Sequence, residues 1–245
     1  FRDNAISLAS GAGLRINTSS PEVVTVEQNS FQLSDTVGLE ILGAASATLK
    51  GNTFQLRAGA GVEFGASGDL TALENQMDGS TTFGIRTQGA AASISLIKNR
   101  IGASSGAGIA AHHRGALVAE DNQISDADAF GILLDGPASS RLIRNDIAVR
   151  AGASGMQIIT GNTRTEFNTL SGVTGTGLRF GPAVTFQSPV RSNTLRFSAA
   201  LDGIRVESQT PVVIELNTLA TATRFGILVT ASPSAIVRGN SLTLS

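Results

Sequence analysis

Residues Asn122–Asn145 read NQISDADAFGILLDGPASSRLIRN, and this stretch decides the fold because the whole chain repeats it. It opens on an asparagine, places an apolar side chain two residues on at Ile124, and passes through a polar loop to Gly131-Ile132. A short apolar strand follows, and then the next asparagine. The equivalent asparagines are Asn4, Asn29, Asn52, Asn75, Asn99, Asn122, Asn145, Asn168, Asn193, Asn217 and Asn240, spaced 25, 23, 23, 24, 23, 23, 23, 25, 24 and 23 residues apart. Self-similarity at a fixed period of this size signals a repeat architecture.

Working outward from that unit, the residue two after each asparagine is always apolar, from Ile6 and Phe31 to Leu219 and Leu242. Nine or ten residues after each of the first ten asparagines comes a glycine followed by an apolar residue, as in Gly38-Leu39, Gly84-Ile85 and Gly203-Ile204. Apolar residues one and three places after the glycine, with mixed residues at two and four, make a period-2 pattern. That is a strand with one buried face. A second strand precedes each asparagine, for example Val212-Val213-Ile214. Each repeat therefore holds about three short strands, and no segment has helical periodicity. A single rung cannot bury its inward face, so rungs must stack in parallel. At the inter-strand spacing of about 4.8 Å, ten rungs make a rod on the order of 50 Å long.

The asparagine has two physical reasons to recur. It tolerates the left-handed backbone of a sharp bend, and stacked amides donate and accept along a column. The glycines read as backbone positions at strand starts. Gly11-Ala12-Gly13 and Gly59-Ala60-Gly61 lack the strand-then-helix setting of a dinucleotide fingerprint.

The unit N-x-apolar, loop, G-apolar-x-apolar, loop, apolar-x-apolar, x-x-N resembles the right-handed parallel β-helix repeat over essentially the whole chain. The fold expected is all-β: a single-stranded right-handed parallel β-helix of about ten rungs of 23–25 residues with an asparagine ladder. Pectate lyases, alginate epimerases, phage tailspikes and many bacterial surface proteins share that architecture. The resemblance implies an extracellular or cell-surface setting.

Composition bounds the rest. Hydrophobic content of 41% with 15% charged residues suits a folded core. A formal net charge of −1 without runs of like charge disfavours nucleic acid and anionic membrane as partners. No apolar run approaches membrane-spanning length. Cysteine is absent, which removes disulfides, thiolate metal sites and cysteine nucleophiles. Nothing in the sequence calls for a cofactor or a metal. Residues 1–245 read as one solenoid domain, since a stack of repeats grows along one axis. Both ends stop without a capping helix. The expectation is a segment of a longer protein, its open ends covered by flanking segments or by self-association.

From each glycine to the next asparagine the count is only 13 to 16 residues, so no rung carries a long insertion. The β-helix enzymes, as the resemblance implies, build substrate clefts from long excursions. A nearly bare rod favours a binding surface over an enclosed site. Tryptophan and tyrosine are absent, which removes the usual sugar-stacking platforms. The phenylalanines, Phe31, Phe54, Phe64, Phe83, Phe130, Phe180 and Phe225 among them, read as core.

The strand after the glycine carries the candidate chemistry. His112 and Asp135 fall in one outward column on adjacent rungs, close enough for a carboxylate to orient an imidazole. With Arg86 and Gln88 on the preceding rung they would supply a base, its orienter and a cation for an anionic sugar. The Asp-Pro-His motif of alginate epimerases is absent; His112-His113-Arg114-Gly115 stands instead. Arg179 and Arg205, relieved by Glu207 and with Gln157 alongside, form a candidate ligand site for a sugar carboxylate or sulfate. Glu40 and Glu63 are like charges on adjacent rungs that Arg86 would relieve. Asp121, Asp126, Asp128 and Asp135 cluster around one rung, yet short loops leave no groove for a hydrolytic pair. The leading expectation is a non-catalytic scaffold or binding segment of a bacterial secreted or surface protein, with polysaccharide as its partner. The alternative is a polysaccharide lyase, epimerase or hydrolase centred on His112, Asp135 and Arg86.

Overall fold

A computed structural model of the chain describes all residues except 9–10, 34–35, 80–81, 151, 198–200, 223 and 245. The period-2 pattern becomes strand in every repeat. In the rung of the opening stretch the strands are Phe130–Leu134, Ser139–Ile143 and Asp146–Val149. Each pairs in parallel with its counterpart one rung on: Ile132 with Met156, Ser140 with Thr163, Ile147 with Leu170. Among the described residues, eleven strands that follow the asparagines, from Ala5–Leu8 to Ser241–Leu244, form one sheet, and the other nineteen form a second. No helix among the described residues is long and apolar enough to cross a membrane.

Two rungs depart from the expected three short strands. Ser154–Glu166 and Thr176–Phe186 each run unbroken through a corner that elsewhere separates two strands. Gly161, at φ +93°, turns the chain there while its pairing with Val184 continues. A register shift between Ile158 and Thr160 absorbs the bend.

The core is a set of stacked columns. The residues two after each asparagine superpose, with Phe31 on Phe54 at 4.6 Å between ring centroids and 8° from parallel. Farther along, Ile101, Ile124, Ile147 and Leu170 stack in register and are essentially inaccessible. Burying one such side chain contributes about 1.5–3 kcal/mol. These columns also explain the recurring glycine. A Cβ on Gly84, Gly108 or Gly131 would lie 2.2–2.4 Å from the side chain of Ile101, Ile124 or Ile147 on the next rung. The glycine is the recess into which that side chain packs.

The asparagine column forms an unbroken ladder from Asn4 to Asn240. Each Oδ1 after the first accepts the backbone N–H and the Nδ2–H of the asparagine one rung earlier, at 2.9–3.2 Å. The second amide proton goes to a backbone carbonyl, as from Asn122 to Leu96 at 2.8 Å. Each interior amide is thus fully satisfied although almost inaccessible. One expectation is corrected here. The left-handed residue is the one before the asparagine, not the asparagine. Asp3, Gln28, Gly51, Glu74 and Lys98 begin a series, ending at Gly239, in which all eleven take φ between +54° and +63°. The bend precedes the asparagine so that its amide points inward along the column.

The phenylalanines divide. Phe31, Phe54, Phe64 and Phe180 are fully buried. Phe83, Phe130 and Phe225, expected in the core, open their strands one residue before the glycine and two before the first inward side chain; the first two are half-buried and Phe225 is exposed. The guanidinium of Arg86 lies 5.2 Å from the Phe83 ring centroid, and that of Arg224 lies 5.5 Å from Phe225. These aromatic faces meet cations rather than the interior.

Candidate functional site

The outward column of the post-glycine strands keeps its expected register through Arg15, Glu40, Glu63, Arg86 and Ala110. Its charges settle locally. Arg15 pairs with Glu40, and Arg86 Nη1 stands 3.6 Å from Glu63. Gln88 also donates to Glu63, at 2.9 Å. Arg86 and Gln88 thus both turn toward Glu63, away from the His112 rung they were expected to serve. The physical reason lies in the column itself: toward His112 the neighbour of Arg86 is Ala110, which offers no counter-charge.

His112 Nδ1 lies 3.9 Å from Asp135 Oδ2, and the two side chains are 35% and 49% exposed. That separation is ion-pair range but beyond a hydrogen bond. An exposed pair of this kind contributes about 0–1 kcal/mol. The strand places the next residue, His113, on the opposite face, where it is fully buried. Its Nδ1 hydrogen-bonds Thr87 Oγ1 at 2.9 Å, which accounts for a polar residue at the inward Thr87 position, while Nε2 has no hydrogen-bond partner among the described residues. Burial pushes the His113 imidazole below its ordinary value. The backbone of Ala116 opposes that shift, and neighbouring His112 adds to it.

Arg179 Nη2 is 3.1 Å from Glu207, and Arg205 is 2.7 Å from the same carboxylate. Arg205 also lies 3.5 Å from the inaccessible Asp202. Gln157, Arg179 and Arg205 follow one another in register. Gln157, Arg179 and Glu207 line a shallow recess of about 80 Å³ together with Pro182; Arg205 stands outside it. At about 30 Å³ per water, that space holds two or three solvent molecules. Glu207 holds both arginines, while Asp202 is bound more closely by Arg224, at 2.6 Å, so an incoming anion competes chiefly with the Glu207 carboxylate.

The aspartates of the opening stretch find partners instead of forming a groove. Asp121 takes a two-point contact from Arg144 at 2.7 and 3.0 Å, which holds its carboxyl below the ordinary range. Arg150 stands 3.7 Å from Asp126 and 3.5 Å from Asp128. On the strands before the asparagines, Glu166 is wholly buried. Burial alone would raise its carboxyl, but hydrogen bonds from Arg164, Ser188 and Arg191 outweigh it and hold the group below the carboxylate range.

A larger recess lies on the sheet that follows the asparagines, where sequence reasoning looked only at the inward column. Its volume is about 210 Å³. Arg100, Gln123 and Asp146, consecutive in register, line it together with Ser125 and Ala148. The signal was present in the sequence as a polar residue directly after every ladder asparagine from Asn29 on.

Residues 12–170 and 119–245 both match the family described as the right handed beta helix region. The chain belongs to that family. The two matches overlap over 119–170, as a repeat in register with itself permits. No curated protein and no solved structure matches the chain. As a right-handed β-helix, it offers two polar faces whose chemistry is ion pairing and hydrogen bonding between rungs.

Proposed function

We propose that this right-handed β-helix is a non-catalytic rod, the scaffold or binding segment of a bacterial secreted or cell-surface protein, with a polar face that holds carbohydrate. In this reading residues 1–245 act as one β-helical domain within a longer chain. One observation carries it: on the post-glycine face the groups that chemistry would need are already neutralised by neighbours. Arg86 faces Glu63, and Arg179 and Arg205 share Glu207. A surface of compensated charges suits weak, repeated contacts better than activation of one bond.

The alternative is a polysaccharide lyase, epimerase or hydrolase, favoured by the adjacency of His112 and Asp135. In it His112 is the base, Asp135 orients it, and Arg86 would have to leave Glu63 to meet substrate. The two readings separate in one assay. Acidic and neutral polysaccharides are incubated with wild type and with His112→Ala, following unsaturated-uronate absorbance and reducing ends. The rod reading expects no turnover by either protein, with retention on an immobilised glycan. Turnover that His112→Ala abolishes would overturn it.

A further inference from the structure

The recess on the post-asparagine sheet is assigned no part in the reading above. Arg100, Gln123 and Asp146 occupy one outward column on three successive rungs, so about 9.6 Å separates the backbones of the cation and the carboxylate. That is too far for them to neutralise each other directly, and Gln123 between them hydrogen-bonds neither. All three are exposed, and none has a side-chain partner among the described residues. Elsewhere on the rod charges one rung apart are generally paired, as in Arg15 with Glu40 and Arg238 with Glu215. Here the cation, amide and carboxylate line a concave space of 210 Å³, with Ser125 on its other wall. At about 30 Å³ per water, an occupant displaces about seven solvent molecules.

The donor and acceptor set narrows the occupant. Arg100 presents a planar fork for a carboxylate or sulfate. Gln123 donates and accepts, while Ser125, whose hydroxyl donates to the Ile101 carbonyl at 3.4 Å, and Asp146 accept, which suits hydroxyl groups. One carboxylate supplies too few oxygens for calcium. A polyanion would meet Asp146, and a nucleobase would find no aromatic platform. An apolar peptide side chain would find only Ala148, since the Ile124 side chain lies in the core.

The geometry points to a subsite for one hydroxyl-rich, singly anionic sugar unit, its acid group on Arg100 and its hydroxyls on Gln123, Ser125 and Asp146. This goes beyond the rod reading and holds whether or not the post-glycine face turns substrate over.

The test is a titration of ¹⁵N-labelled protein with a disaccharide of glucuronate and N-acetylglucosamine, and with a neutral disaccharide as comparison. The expected result is saturable shifts at the backbone amides of Gln123, Ser125 and Asp146, stronger for the acidic probe. Arg100→Ala should weaken binding by about tenfold or more, the loss of one charge-assisted contact. Arg179→Ala, on the other face, should leave it unchanged. Asp146→Asn should weaken the neutral probe more than the acidic one, since it weakens an acceptor for hydroxyls and also removes a like charge from beside the acidic probe. Unchanged affinity in Arg100→Ala, shifts confined to the Arg179 face, or no shifts at millimolar probe would each overturn the assignment. Turnover in the polysaccharide assay would sink the rod reading and leave this one standing.

Discussion

Asn75 Oδ1 accepts two hydrogen bonds from one residue, Asn52: the backbone N–H at 3.0 Å and the side-chain amide at 2.9 Å. Neither asparagine is measurably exposed to water. The contact joins rungs through main chain and side chain at once, and its repetition ties every rung to the next.

Removing a mid-ladder amide should therefore cost more than removing a terminal one. Asn122→Ala strips the acceptor from the Asn99 N–H and amide and the donors from Leu96 and Asn145. Each orphaned buried donor costs about 1–3 kcal/mol, so the expected loss is on the order of 3–5 kcal/mol. Asn4→Ala removes an exposed donor and should cost under about 1.5 kcal/mol. Urea unfolding of both variants measures the difference; equal losses would mean the ladder does not act as a buried network.

Gly131→Ala should destabilise through packing. Its Cβ would lie 2.2 Å from Ile147 Cγ2 and 2.7 Å from the Gly155 carbonyl. Overpacking of this kind costs about 1–3 kcal/mol. In a double-mutant cycle with Ile147→Ala, the side-chain part of the clash disappears and the backbone part stays. The cycle should show coupling above about 0.5 kcal/mol, measured by thermal or urea unfolding.

The residues ahead of the asparagines make the opposite kind of prediction. Leu216 holds φ +57° and is exposed, so its side chain gains little for the backbone cost. Leu216→Asn should stabilise by about 0.5–1 kcal/mol, because asparagine tolerates that conformation. Gly51, at φ +63° with only Gln28 Cγ near its absent Cβ, is the converse. Gly51→Ala should destabilise by about 1 kcal/mol on conformational grounds alone. Melting temperatures moving the other way would contradict the assignment of the bend.

The buried imidazole of His113 predicts a pH dependence. Its folded value is lowered from 6.5 by burial, so below 6.5 the unfolded chain takes up a proton that the folded chain refuses. Stability is then fully present above that value and falls as pH drops through it toward the lowered folded value. His113→Asn keeps a hydrogen-bonding group beside Thr87 and removes the titration. It should flatten the dependence measured by urea unfolding between about pH 7.5 and about pH 5.

What could be read from the residues follows from which interactions have a period. Asparagines, glycines and inward apolar columns recur because every rung meets the same steric and hydrogen-bonding demands, so Asn4 to Asn240 and the ten rungs were legible. The backbone bend was misplaced by one residue. Left-handed positions occupied by Gln28, Lys98 and Phe167 have no common side chain to reveal them. Phe83, Phe130 and Phe225 were misread because apolar character was taken as burial at the corner just before the glycine. The chemistry was harder still. Arg86 lies in register beside both Glu63 and Ala110, and only the side-chain geometry shows that it turns to Glu63. The Arg100 recess was missed because a concavity depends on what neighbouring columns leave empty, which no single column states.

The asparagine ladder has an electrical consequence. Backbone hydrogen bonds between rungs run both ways: Gln28 donates forward to Lys50, and Ser30 donates backward to Asn4. Their dipoles largely cancel, as is usual in sheets. The side-chain amides do not alternate. Each turns its oxygen toward the preceding rung and one N–H toward the following one, the other N–H going to a backbone carbonyl. With about 3.5 D for each amide group, their sum is a permanent moment along the axis, positive toward the last rung. A molecule of modest net charge is in this way electrically directional, and an applied field would orient it end for end.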